Sequence, residues 1–99
     1  MKKVEILVVG CNAEILAVVV RLINANELWN ATGVADYPKA IDGLQSGTYD
    51  ILLIGAGLEA HEEAELCNYA TANFPDMKQV YHFGGGSGLL FAEIYQALA

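Results

Sequence analysis

Four short apolar runs, each followed by a segment with helical periodicity, constrain what this chain can fold into more than any other feature of it. The first run, Val4-Glu5-Ile6-Leu7-Val8-Val9, is β-branched and closed by Gly10, the pattern of a strand buried on both faces of a parallel sheet. From Ala13 to Ala25 the apolar residues Ile15, Leu16, Val19, Leu22 and Ile23 recur at helical spacing behind Asn12, a residue suited to an N-cap. Leu28 to Ala35 reads as a second strand, more polar than the first and so suited to a sheet edge. Asp36 caps a helix from Tyr37 to Ser46, with Pro38 tolerated in its first turn and Gly47 placed to stop it. Ile51 to Ile54 is an unbroken apolar strand ended by Gly55-Ala56-Gly57, and a helix follows from Glu59 to Asn73, ended by Pro75. Gln79 to Phe83 reads as the fourth strand, Gly84-Gly85-Gly86-Ser87-Gly88 as a loop, and Leu89 to Leu98 as a last amphipathic helix.

This (βα)4 alternation predicts an α/β protein: a three-layer, flavodoxin-like parallel sheet with right-handed crossovers, helices on both faces and the strand order 2-1-3-4. Strand 4 is then an open edge. Residues 1–99 are read as one domain, since 55% apolar residues supply one packed core and no low-complexity linker interrupts it.

Twelve acidic residues against five basic give a net charge of −7, which repels phosphate backbones and argues against nucleic acid as a partner. No segment has the apolar length of a membrane span, so no membrane partner is expected. The opening Met1-Lys2-Lys3 is followed by too short an apolar run for a signal peptide, and Cys11 and Cys67 have neither disulfide-rich density nor metal-ligand spacing. The expected location is the cytoplasm.

From Ile6 to Leu16 the chain resembles the opening of a response-regulator receiver domain, where a strand runs into an acidic pair, Asn, a small residue, Glu and an apolar pair. Ala35-Asp36 with Ala40, Ile41 and Leu44 is similar to that family's second helix, and Gly47-Thr48-Tyr49-Asp50 with Ile51 to Ile54 resembles its third strand. The resemblance covers about the first 58 residues. It implies a signal-transduction module of the CheY-like type, but a degenerate and truncated one. The phosphoacceptor aspartate falls on Gly55 and the magnesium-binding acidic pair on Gly10 and Cys11, none of which offers the hard oxygen ligands that magnesium takes from side chains. The family's Lys-Pro has no counterpart, since Pro75 and Lys78 precede strand 4. Residues 84–99 suffice for a loop and one helix, so one βα unit is missing.

Three loops, at 10–12, 55–58 and 84–88, belong at the carboxyl ends of the strands, where open α/β sheets bind ligands. Gly55-Ala56-Gly57-Leu58-Glu59-Ala60 matches G-x-G-x-x-A, but it follows the third strand, and Glu59, Glu62 and Glu63 place negative charge where a phosphate would rest. Gly57, Gly84, Gly85, Gly86 and Ser87 are the candidate ligand-loop residues, without the Lys and Thr of a P-loop. Simple turns are the competing reading. Cys11 has a setting similar to the phosphocysteine of phosphotransferase-system sugar-transport subunits but lacks the Gly and Thr-Ser expected after it; a small buried filler is its other reading. His61 and Glu65 share a helix face and form only half a metal site, and no nucleophile, base and acid are paired by spacing.

The expected function is therefore a non-phosphorylatable, receiver-like interaction module, neither an enzyme nor a cofactor binder, acting as a homodimer or through another protein. Its interface is expected at Phe83, Leu90, Phe91, Ile94 and Tyr95, because the last helix has more apolar residues than one narrow stripe needs and strand 4 is unpartnered. The alternative is a small-ligand or nucleotide-binding protein using the loops at 55–58 and 84–88.

Overall fold

The computed structural model describes residues 3–55, 57–81 and 87–98, the side chains of 87–89 not among them. The elements run β1 (Val4–Val9), α1 (Ala13–Asn24), β2 (Trp29–Val34), α2 (Tyr37–Ser46), β3 (Ile51–Ile54), α3 (Ala60–Asn73), β4 (Lys78–Tyr81) and α4 (Ser87–Leu98). All four strands are parallel, in the order β2-β1-β3-β4. The expected class and order are those of the structure.

Local chemistry sets the helix starts. Asn12 Oδ1 accepts from the Ile15 N–H at 3.1 Å and Asp36 Oδ1 from the Lys39 N–H at 2.9 Å, each satisfying an amide that the first turn leaves without a partner. Glu59, expected as the first residue of α3, is its N-cap instead. Gly47 closes α2 in an extended conformation, donating its N–H to Gly43 O at 3.1 Å, while the Tyr49 ring lies where a Cβ would project. α4 begins at Ser87, two residues before the expected start, and β4 runs from Lys78. The expected strand residues His82 and Phe83 lie outside the described residues, as do Gly84, Gly85 and Gly86.

Period-two alternation in β1 and β3 splits the core into two layers. Ile6, Val8, Ile51 and Leu53 face α1 and α4, joined by Trp29, Val80, Leu90 and Ile94; Leu7, Val9, Leu52 and Ile54 face α2 and α3, joined by Ala40, Leu44, Leu66, Ala70 and Met77. The last helix thus shares the α1 face, which reverses the winding that α2 and α3 follow.

That placement corrects the interface expectation. Leu90 and Ile94 are core residues, 1% and 0% exposed, because α4 turns them onto the sheet. Phe91 and Tyr95 pack on the Trp29 ring at centroid distances of 5.8 and 5.1 Å, Phe91 half-buried and Tyr95 exposed. Phe83 lies outside the described residues.

The two sheet edges differ. On β2 the outward N–H and C=O of Ala31 are both taken by the Asn24 amide, Oδ1 accepting at 2.7 Å and Nδ2 donating at 3.2 Å. This side chain at the end of α1 protects the middle of that edge, a role that nothing in the spacing of the chain marked. β4 begins with Lys78, and a charged residue on an edge strand discourages edge-to-edge pairing.

Candidate functional site

The carboxyl ends of β1 and β3 lie side by side, and the loops leaving them form the place where an open α/β sheet carries its chemistry. The strand ends are stitched together: the Gly10 N–H donates to Val34 O at 3.1 Å and the Gly55 N–H to Val9 O at 2.8 Å. A Cβ at Gly55 would meet Val9 O at 3.1 Å, a tight contact that a side chain there requires the strand ends to ease by a few tenths of an ångström. Gly57 adopts φ +110°, and a Cβ on it would lie 2.8 Å from Cys11 Cβ. This glycine is required twice, for its left-handed backbone and for close approach to Cys11. Cys11 is exposed, not the buried filler of its simpler reading. Where the resemblance places an acidic pair and a phosphoacceptor, the structure has a glycine, an exposed cysteine whose Cβ lies beside Gly57, and a second glycine.

Gly57 faces Cys11, and the N-terminus of α3 is occupied by its own carboxylates: Glu59 and Glu62 form a capping box, with Glu62 Oε1 accepting from the Glu59 N–H at 3.4 Å. A phosphate approaching this end of α3 meets negative charge first. Of the other candidate loop residues, Gly84, Gly85, Gly86 and the side chain of Ser87 lie outside the described residues.

His61 and Glu65 do not act together. His61 Nδ1 lies 3.3 Å from Glu59 Oε2, both side chains exposed, while the Glu65 carboxylate acts on the Tyr37 phenol. Desolvation raises the Tyr37 pKa, and the Glu65 and Glu62 carboxylates raise it further. Among the described residues no three His, Cys, Asp or Glu side chains gather to hold a metal ion. Lys78 stands at the amino end of β4, across the sheet from Gly55. Cys67 Sγ and Tyr81 Oη are 3.0 Å apart, and this contact, with partial burial and the charges of Cys67 and Glu63, pushes the phenol up to about 12.

Away from the loops, β4 and α4 border an open groove of about 380 Å³, lined by Gln79, Val80, Tyr81, Glu93, Gln96 and Ala97. No helix among the described residues is long and apolar enough to cross a membrane.

No protein-family model matches the sequence, and no curated protein does. Solved structures match over nearly the whole chain. A signal receiver domain of an HD domain-containing protein from Pseudomonas fluorescens Pf-5 superposes with a TM-score of 0.85 at 18% identity, covering 98% of this chain and 95% of that one. A CheY-like response regulator receiver domain from Methanospirillum hungatei JF-1 gives 0.74 at 20% identity, covering 97% and 76%. A response regulator from Thermotoga maritima gives 0.71 at 17% identity, covering 96% and 78%. The Methanospirillum and Thermotoga chains have length beyond the match; the Pseudomonas domain has almost none. The fold of this chain is the receiver fold of the CheY-like response regulators.

Proposed function

We propose that this chain is a receiver-type protein-interaction module of signal transduction that accepts no phosphoryl group and acts through a surface present at all times. The carrying observation is Gly55. Its missing side chain removes the acceptor, and Val9 O at 3.1 Å from its Cβ direction crowds one. Gly10 and Cys11 supply no magnesium ligands beside it, and a hard divalent cation needs oxygen donors. The partners are this chain itself or another protein; the net charge of −7 sets nucleic acid aside. The reading assigns the module interaction and not catalysis. Nucleotide binding at 55–58 is disfavoured by the Glu59 and Glu62 carboxylates that occupy the α3 N-terminus.

Incubation with acetyl phosphate and magnesium, or with beryllofluoride and magnesium, followed by intact mass and thermal melting, tests this reading. Unchanged mass and an unchanged midpoint are expected. Covalent phosphoryl uptake, or a midpoint raised by beryllofluoride, would overturn it.

A further inference from the structure

The exposed side of α1 carries large apolar residues that the fold does not use. Ile15 and Val18 are 60% and 42% exposed, with the half-buried Leu22 one turn beyond Val18. At about 100° per residue, Val19 and Ile23 mark the buried side of the helix, and Glu14, Val18 and Arg21 form a ridge down the opposite side. Leu16 and Val20 lie against Gly33 of β2, which turns Ile15 and Leu22 towards the α4 side. Glu14 and Arg21 sit seven residues apart, two turns along one stripe, too far to pair within the helix. Neither has an ion-pair partner among the described residues.

This pattern is self-complementary. Val18 lies within half a residue of the centre of the Glu14–Arg21 pair and, on the other side, within half a residue of the centre of the Ile15–Leu22 pair. Two copies of α1 laid antiparallel about a two-fold axis at Val18 bring each Glu14 near the partner's Arg21 and each Ile15 near the partner's Leu22, both pairs offset along the helix by one residue, about 1.5 Å, which long side chains span. The exposed Ala17 beside the axis allows close approach, and antiparallel helices oppose their dipoles favourably. An isologous interface requires such reciprocity, which an unrelated partner would not.

We infer that the α1 ridge is the homodimerisation surface, occupied by a second copy of this chain in antiparallel α1–α1 packing with paired Glu14–Arg21 contacts. The inference rests on the constitutive-interaction reading and names its partner. One helix pair buries less than the roughly 1,200 Å² of a standard interface, so a reversible dimer is expected, weakened by salt.

Light scattering over a dilution series, with thermal midpoints measured alongside, compares the wild type with Glu14→Arg, Arg21→Glu and the double swap. Concentration-dependent dimerisation is expected. Each single reversal sets like charges together twice and raises the dissociation constant at least tenfold, and the double swap restores it. Val18→Arg, a second variant at the axis, is expected to be monomeric and folded. A wild type that is monomeric at every concentration, single reversals without effect, or a double swap that does not recover dimerisation would each overturn the inference. Failure here leaves the acetyl phosphate result untouched, and phosphoryl uptake would overturn the constitutive reading without changing the dimer mass.

Discussion

Gly57 is where the loop after β3 meets the loop after β1. Its φ of +110° is a conformation L residues rarely adopt, and its Cβ direction points at Cys11 Cβ, 2.8 Å away. Backbone strain and overpacking therefore both oppose a side chain there, each at a cost of about 1–3 kcal/mol. Gly57→Ala is expected to lower stability by about 2 kcal/mol or more in urea melts. In a Cys11→Gly background the steric part is relieved and the loss should shrink by about 1 kcal/mol, a coupling of the size that contacting residues show. An equal loss in both backgrounds would mean that strain alone matters and that the two loops do not press on each other. The G-x-G-x-x-A spelling gives no sign of this, because a glycine placed for a thiol and one placed for a phosphate read alike. The proposal that the phosphoacceptor position is empty rests on residue identity at Gly55, Gly10 and Cys11, which the sequence displays directly. The carbonyl of Val9 behind Gly55 was not legible there, since it depends on how β1 and β3 align.

Among the elements, α4 is where reading along the chain and packing part company. Caps at Asn12 and Asp36 were legible because capping is local, an oxygen and an N–H a few residues apart. The unbroken apolar runs of β1 and β3 marked them as central for the same reason. Which apolar residues of α4 are buried depends on the sheet face the helix returns to, a property of the whole winding. It returns to the α1 face, so Leu90 and Ile94 enter the core while Tyr95 rests on Trp29 at its rim. Ile94→Ala is expected to cost about 2–5 kcal/mol and Tyr95→Ala about 1 kcal/mol, the latter with a change in Trp29 fluorescence. The loss at Ile94 should not vary with protein concentration; a loss that grew on dilution would place Ile94 in an interface after all.

At the scale of the molecule, two candidate surfaces compete for a second copy: the outer edge of β4 and the exposed ridge of α1. The edge argument is that unpaired strand groups seek partners, yet the fold guards both edges. Asn24 occupies Ala31 on β2, and β4 starts with a lysine. The ridge has no such guard, and its charges are arranged to meet their own copy. Hydrogen exchange separates the two. In a parallel ladder alternate residues bond to opposite sides, so with Lys78 donating to Asp50 O at 3.0 Å, the Gln79 N–H points away from β3. Leu7 and Leu53, on the two central strands between apolar layers, should exchange only through global opening. Gln79 should exchange rapidly at every protein concentration if copies meet at α1. Protection at Gln79 that rose with concentration, alongside unchanged accessibility of the α1 ridge, would move the interface to the sheet edge and join two four-stranded sheets into one.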